Sequence, residues 1–161
     1  MTPIFAAFIP GKTPGKPRPR VTSRGTYLPR AYQQWTTRAV FAVRSARVTS
    51  ARDLAVIDHA VAVHVSVVLP APKSRPAKSS TARRALWKPP ADGVIDHGEP
   101  FAWLGKPDAD NAAGSVLDAL VKGGALVDDA LVSRLEVSLY ASHDPARVGA
   151  HVTISALEVT P

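Results

Sequence analysis

Apolar and polar residues alternate over Ile57–Leu69. His59, Val61, Val63, Val65, Val67 and Leu69 fall on one side, and Asp58, Ala60, Ala62, His64 and Ser66 on the other. A period of two sustained over that length predicts a long, half-buried strand. Pro3–Ile9 is a shorter apolar run of strand length closed by Pro10-Gly11, and Val132–Ala141 alternates again, with Leu135, Val137 and Leu139 against Arg134, Glu136 and Ser138. After a turn at His143–Gly149, Ala150–Val159 reads as the last strand. Two stretches change period. Ala31–Arg47, which follows Pro29, spaces Trp35, Ala39, Ala42/Val43 and Ala46 by threes and fours and leaves Arg38, Arg44 and Arg47 elsewhere, an amphipathic helix with a basic rim. Asn111–Lys122 gathers Ala112, Ala113, Val116, Leu117, Leu120 and Val121 on one side and stops at Gly123-Gly124. The order β-α-β-(long loop)-α-β-β predicts an α/β (α+β) fold, a mixed sheet of about four strands with two main helices packed on it. With 161 residues, a single domain over 1–161 is expected.

Two segments carry no period. Residues 12–28 hold Lys12, Lys16, Arg18, Arg20 and Arg24 among Pro14, Gly15, Pro17 and Pro19, a density of proline and glycine that predicts an extended basic arm without regular structure. Residues 70–105 form a long basic, proline-rich connection that contains Arg83 and Arg84, with Ser79-Ser80-Thr81 placed to cap a short helix. Connections of that length in a domain this small are usually functional or mobile.

Charge sharpens the picture. There are 20 Lys+Arg against 13 Asp+Glu, a net charge of +7, and residues 1–52 carry basic side chains and no acid at all. A cationic first third joined to a slightly acidic remainder points to a polyanionic partner, a nucleic acid above all. The absence of cysteine removes disulfides, thiolate zinc sites and cysteine nucleophiles together. No apolar run approaches the ~18 residues of a membrane-spanning helix, and the first residues lack the basic flank of a secretory signal, so a cytoplasmic protein without a membrane partner is expected. The Gly-Lys pairs at 11–12 and 15–16 lack the spacing of a nucleotide-binding loop, and nothing calls for an organic cofactor. His59 and His64 fall on opposite faces of one strand, which suits surface or structural roles better than a metal site.

Acids cluster around the second helix, as Lys106-Pro107-Asp108-Ala109-Asp110-Asn111 before it and Val127-Asp128-Asp129-Ala130 after it. Chain held extended by Pro107 turns Asp108 and Asp110 to one side. A helix of about twelve residues rises ~18 Å, and six extended residues from Gly124 cover ~20 Å, so Asp128 or Asp129 can return to the start of the helix. Carboxylates that converge there repel unless a cation sits among them. Hard oxygen donors match Mg²⁺ or Mn²⁺. The alternative is that Asp108 and Asp110 only cap the helix and Asp128-Asp129 is a solvated turn, in a basic accessory protein that binds RNA or duplex.

Lys106–Asn111, then Leu117-Asp-Ala-Leu120, then Gly124-Ala-Leu-Val-Asp-Asp129 resembles the signature of the RusA-type Holliday junction resolvases, crossover-junction endodeoxyribonucleases often carried by phages and prophages. Gly15-Lys-Pro-Arg-Pro-Arg20 with Gly25 and Tyr27 is similar to that family's basic N-terminal segment. The resemblance runs in order along most of the chain and is weakest over residues 70–105. It implies that Asp108, Asp110 and Asp129 bind the divalent ion, with Asp128 and Asn111 behind them. It also implies that the substrate is branched DNA, a four-way junction whose two scissile strands suit a C2 homodimer. Lys16, Arg18, Arg20, Arg24, Arg83 and Arg84 would neutralise its phosphates. One position departs from the pattern: the lysine expected four residues after the second acid is Gly114. Lys106, beside the acids, is the candidate replacement, while Lys122, one helical step from Asp118, reads as that residue's surface partner. Without a replacement the chain would be a weak nuclease, or a protein that binds junctions without cutting them.

Overall fold

The computed structural model describes residues 3–23, 25–49, 55–71, 101–103 and 105–157. In chain order its elements are β1 (Pro3–Pro10), β2 (Arg20–Thr22), β3 (Gly25–Tyr27), α1 (Arg30–Thr49), β4 (Val61–Pro70), β5 (Phe101–Ala102), α2 (Ala109–Lys122), β6 (Val132–Ser142) and β7 (Gly149–Ala156). Short 3₁₀ turns at Asp129–Leu131 and Pro145–Arg147 precede the last two strands.

The alternating valines make β4 the middle of the sheet. Val61, Val63, Val65, Val67 and Leu69 are at most 1% exposed. The order is β1-β7-β4-β6-β5, antiparallel throughout except for the parallel pair β4 and β6. Parallel neighbours need a crossover, because the chain must return to the starting edge before it can run the same way again. α2 is that crossover. Both helices lie on the face the valines point to: Trp35, Ala39 and Val43 of α1 and Ala112, Val116, Ala119 and Leu120 of α2 share one core with Phe5, Ile9, Val152 and Ile154. The opposite face of the sheet exposes His64 and His151, the latter against the ring of Phe8 at 4.5 Å.

α2 ends as its glycines require. Gly124 takes a positive φ of 74°, its N–H donates to Val121 and that of Ala125 to Leu120, so two carbonyls of the last turn are satisfied. Gly123 serves packing instead: a Cβ there would lie 2.5 Å from Val43 Cγ1 on α1.

Several expectations are corrected. The basic arm is not free of regular structure, because β2 and β3 pair as a small hairpin with Thr22 opposite Gly25. Val21-Thr22 and Thr26-Tyr27 are strong strand formers, and Gly25, at a φ of 119°, makes the turn feasible. β4 begins at Val61, so His59 lies outside it, exposed and beside Asp58. Leu135 is 42% exposed rather than core, since β5 pairs only with Tyr140 and Ala141 at the far end of β6. The sheet thereby gains a fifth, two-residue strand. The helix anticipated at Ser79-Ser80-Thr81, and Arg24, Arg83 and Arg84, lie outside the described residues, as does the side chain of Arg20. No helix among the described residues is long and apolar enough to cross a membrane.

Candidate functional site

The start of α2 carries two acids whose roles differ. Asp108 occupies the N-cap position with extended backbone, φ −76° and ψ 162°, yet its side chain makes no capping hydrogen bond. Only its carbonyl joins the helix, accepting from Ala112 N at 3.0 Å. The carboxylate is left to face outward, where Lys106 Nζ donates to Oδ2. Asp110 sits in the first turn, exposed, with no hydrogen bond or ion pair among the described residues. The positive end of the helix dipole favours both charges.

Across the turn, Asp128 behaves as a cap in the ordinary sense, accepting from Ala130 N at 2.8 Å to start the 3₁₀ turn. Asp129 is exposed and its carboxylate makes no hydrogen bond among the described residues. The chain that returns to these two from Gly124 is not a free extended segment. Ala125–Val127 pair with Ile57 in parallel, with Ile57 N donating to Ala125 O and Val127 N to Ile57 O. Among the described residues, no three His, Asp or Glu side chains stand close enough together to hold an ion. Uncompensated carboxylates repel, and two of the nearby acids, Asp108 and Asp118, hold lysines instead. In donor chemistry the trio Asp108, Asp110 and Asp129 fits Mg²⁺ or Mn²⁺: three oxygen-donor side chains, none of them spent on the backbone.

The basic arm docks against α2. Lys16 N donates to Asn111 O at 2.9 Å, and a Cβ on Gly15 would lie 3.0 Å from Pro107 Cβ and 3.4 Å from Asn111 Cβ, so a side chain there would push arm and helix apart by a few tenths of an ångström. Asn111 thus acts through its backbone, which also receives Ser115 Oγ. Between arm and helix lies a cleft of about 430 Å³ whose walls include Lys12, Thr13, Lys16, Lys106, Asp108 and Asn111. Thr13 is fully buried there and its hydroxyl has no hydrogen-bond partner among the described residues. Three ammonium groups along one opening suit a phosphate-bearing ligand.

Lys16 is the most tightly held of them. Its Nζ donates to Asp118 Oδ1 at 3.0 Å, and the other oxygen of Asp118 accepts from the Tyr32 hydroxyl at 3.1 Å. The hydrogen bond to Asp118 raises the Lys16 pKa above its ordinary value, and the field of Asp129 adds to the effect. Burial raises that of Tyr32. This overturns the pairing expected for Asp118: its partners are Lys16 and Tyr32, not Lys122, whose side chain is exposed. Sequence reasoning missed the roles of Tyr32, Lys12 and Thr13 here. The one available signal was Gly114, a gap in the exposed side of a helix. Arg18 is exposed on the arm beyond Lys16. Trp103 is partly buried and packs against the core.

A family model, endodeoxyribonuclease RusA, matches residues 10–155 of the chain. No curated relative matches it.

Proposed function

Since the chain belongs to the RusA endodeoxyribonuclease family, we propose that it is a Mg²⁺- or Mn²⁺-dependent, structure-selective nuclease that resolves four-way DNA junctions in recombination and repair. The observation that carries this reading is Asp108, an N-cap aspartate at a lysine-walled cleft whose carboxylate is withheld from the helix it begins and pairs with Lys106. A capping acid would have bonded to the backbone, as Asp128 does.

Asp108, Asp110 and Asp129 would hold the ion, which when bound makes a water acidic and polarises the scissile phosphate. The remaining work belongs to the chain's own groups. Lys106 balances Asp108 before an ion arrives. Lys12, Lys16 and Arg18 bind backbone phosphates and fix the strand's register without reading bases. A second copy related by a two-fold axis would serve the opposite strand of the junction. A second reading, a binder that does not cut, is favoured by Gly114, which puts no cation of its own on the helix.

The test is purified protein with a labelled four-way junction and Mg²⁺, with and without chelator. Paired nicks that vanish with chelator are expected, and Asp110→Asn should abolish them while binding persists. Tight binding with no nicks under any divalent ion selects the second reading, and an Asp110→Asn variant that cuts as well as the parent overturns the first.

A further inference from the structure

Asp110, Gly114 and Asp118 stand four residues apart and form one stripe along α2, each step rising ~6 Å. Gly114 is the bare position between two carboxylates. The gap is filled from elsewhere: a Cβ on Gly114 would lie 3.3 Å from Lys16 Cδ and 3.8 Å from Lys16 Cβ, so the lysine stem runs across the helix at this point. Its ammonium ends on Asp118, which Tyr32 steadies from the core side. The backbone behind it is pinned by the Lys16 N to Asn111 O bond and by Gly15 against Pro107.

We infer that Lys16, seated in the gap at Gly114, is the cation that the site presents to the scissile phosphate. The inference rests on the nuclease reading and completes it. A lysine rooted in the helix at 114 and one laid over 114 from the arm deliver the same charge to the same stripe, and the two cannot coexist without displacing each other. Lys106 is the weaker alternative. Its side chain is 83% exposed and held, among the described residues, only by Asp108 two residues away, whereas Lys16 is 51% exposed and anchored at both ends. Asp118 occupies one of the three ammonium donors, leaving two for a non-bridging phosphate oxygen. Lys16 transfers no proton in this role; it stabilises negative charge where it develops.

Lys16→Met tests this, because it keeps a stem to cover Gly114 and removes the charge. Cleavage at saturating junction is expected to fall about 100-fold, the scale seen for loss of one such donor. Junction affinity should change by less than about tenfold, since one of several phosphate contacts is lost. The relocation itself is tested by Lys16→Ala combined with Gly114→Lys, which should recover cleavage to within about tenfold of the parent. Thermal melts establish that each variant is folded. Undiminished cleavage by Lys16→Met, or a double variant no faster than Lys16→Ala, overturns the inference and leaves the nuclease reading intact. A parent that binds junctions and never cuts them overturns both together.

Discussion

The stem of Lys16 covers the bare Cα of Gly114 closely enough that a methyl group there would sit 3.3 Å from Lys16 Cδ. Glycine in a helix interior costs about 1 kcal/mol relative to alanine, so the position gives up helix stability for room. Gly114→Ala should return most of that, because the stem of an exposed lysine moves by a few tenths of an ångström at little cost. A rise in melting temperature of about 2–4 °C is expected, together with slower junction cleavage as Lys16 shifts. A lower melting temperature would show that the stem cannot give way.

The same substitution nine residues on should have the opposite sign. A Cβ at Gly123 would meet Val43 Cγ1 at 2.5 Å and Ala119 O at 2.8 Å. Val43 is fully buried and cannot retreat. Gly123→Ala should therefore cost about 1–3 kcal/mol by overpacking, measurable as a lower urea midpoint at unchanged slope.

These two glycines also mark what was legible in the sequence. The stop at Gly123-Gly124, the two helices and the alternation of β4 follow from local rules, since burying one face demands a fixed period whatever the partner is. The β2–β3 hairpin was hidden by the prolines around it, and the exposure of Leu135 depends on how little of β6 is covered by β5. At the site, Asp108 and Asp110 could be singled out because they are neighbours. The contact between Lys16 and Asp118 spans 102 residues of sequence, and no local pattern reports which of ten basic residues in the first third will reach a given acid.

The Lys16–Asp118–Tyr32 cluster predicts alkaline behaviour. Lys16 has a folded pKa raised above 10.5, and Tyr32 one raised above 10.0. In both cases the folded state holds its proton more tightly than the unfolded chain. Their contribution is fully present below the unfolded values and is lost as pH rises through the folded ones. Melting temperature should fall as pH rises beyond about 10, and Lys16→Met should soften that fall while leaving the Tyr32 share. An identical alkaline profile for parent and variant would show that Lys16 adds nothing to the linkage.

Arg18 lies on the arm beyond the docked Lys16 and is exposed. If it meets backbone phosphate, Arg18→Ala should weaken junction binding for every sequence alike and lower the salt slope of log K by about 1. Fluorescence titration at several salt concentrations measures it. An unaltered slope would place the arm's outer half away from DNA.

Lys106 and Asp108 offer a separate check on the ion. The ammonium donates to the carboxylate that would bind the metal, so the two cations compete for one oxygen. The pair is solvent-exposed, at 83% and 43% for the two side chains, and such contacts are worth about 0.2–1 kcal/mol. Removing the competitor should thus tighten metal binding by no more than about fivefold. Lys106→Ala, assayed at saturating junction, is expected to reach half-maximal cleavage at a lower Mg²⁺ concentration while its plateau rate stays within about threefold of the parent, the loss of one exposed contact. A plateau that collapses instead would make Lys106 the cation the phosphate needs. A Mg²⁺ dependence that does not move would mean that Asp108 takes no part in holding the ion.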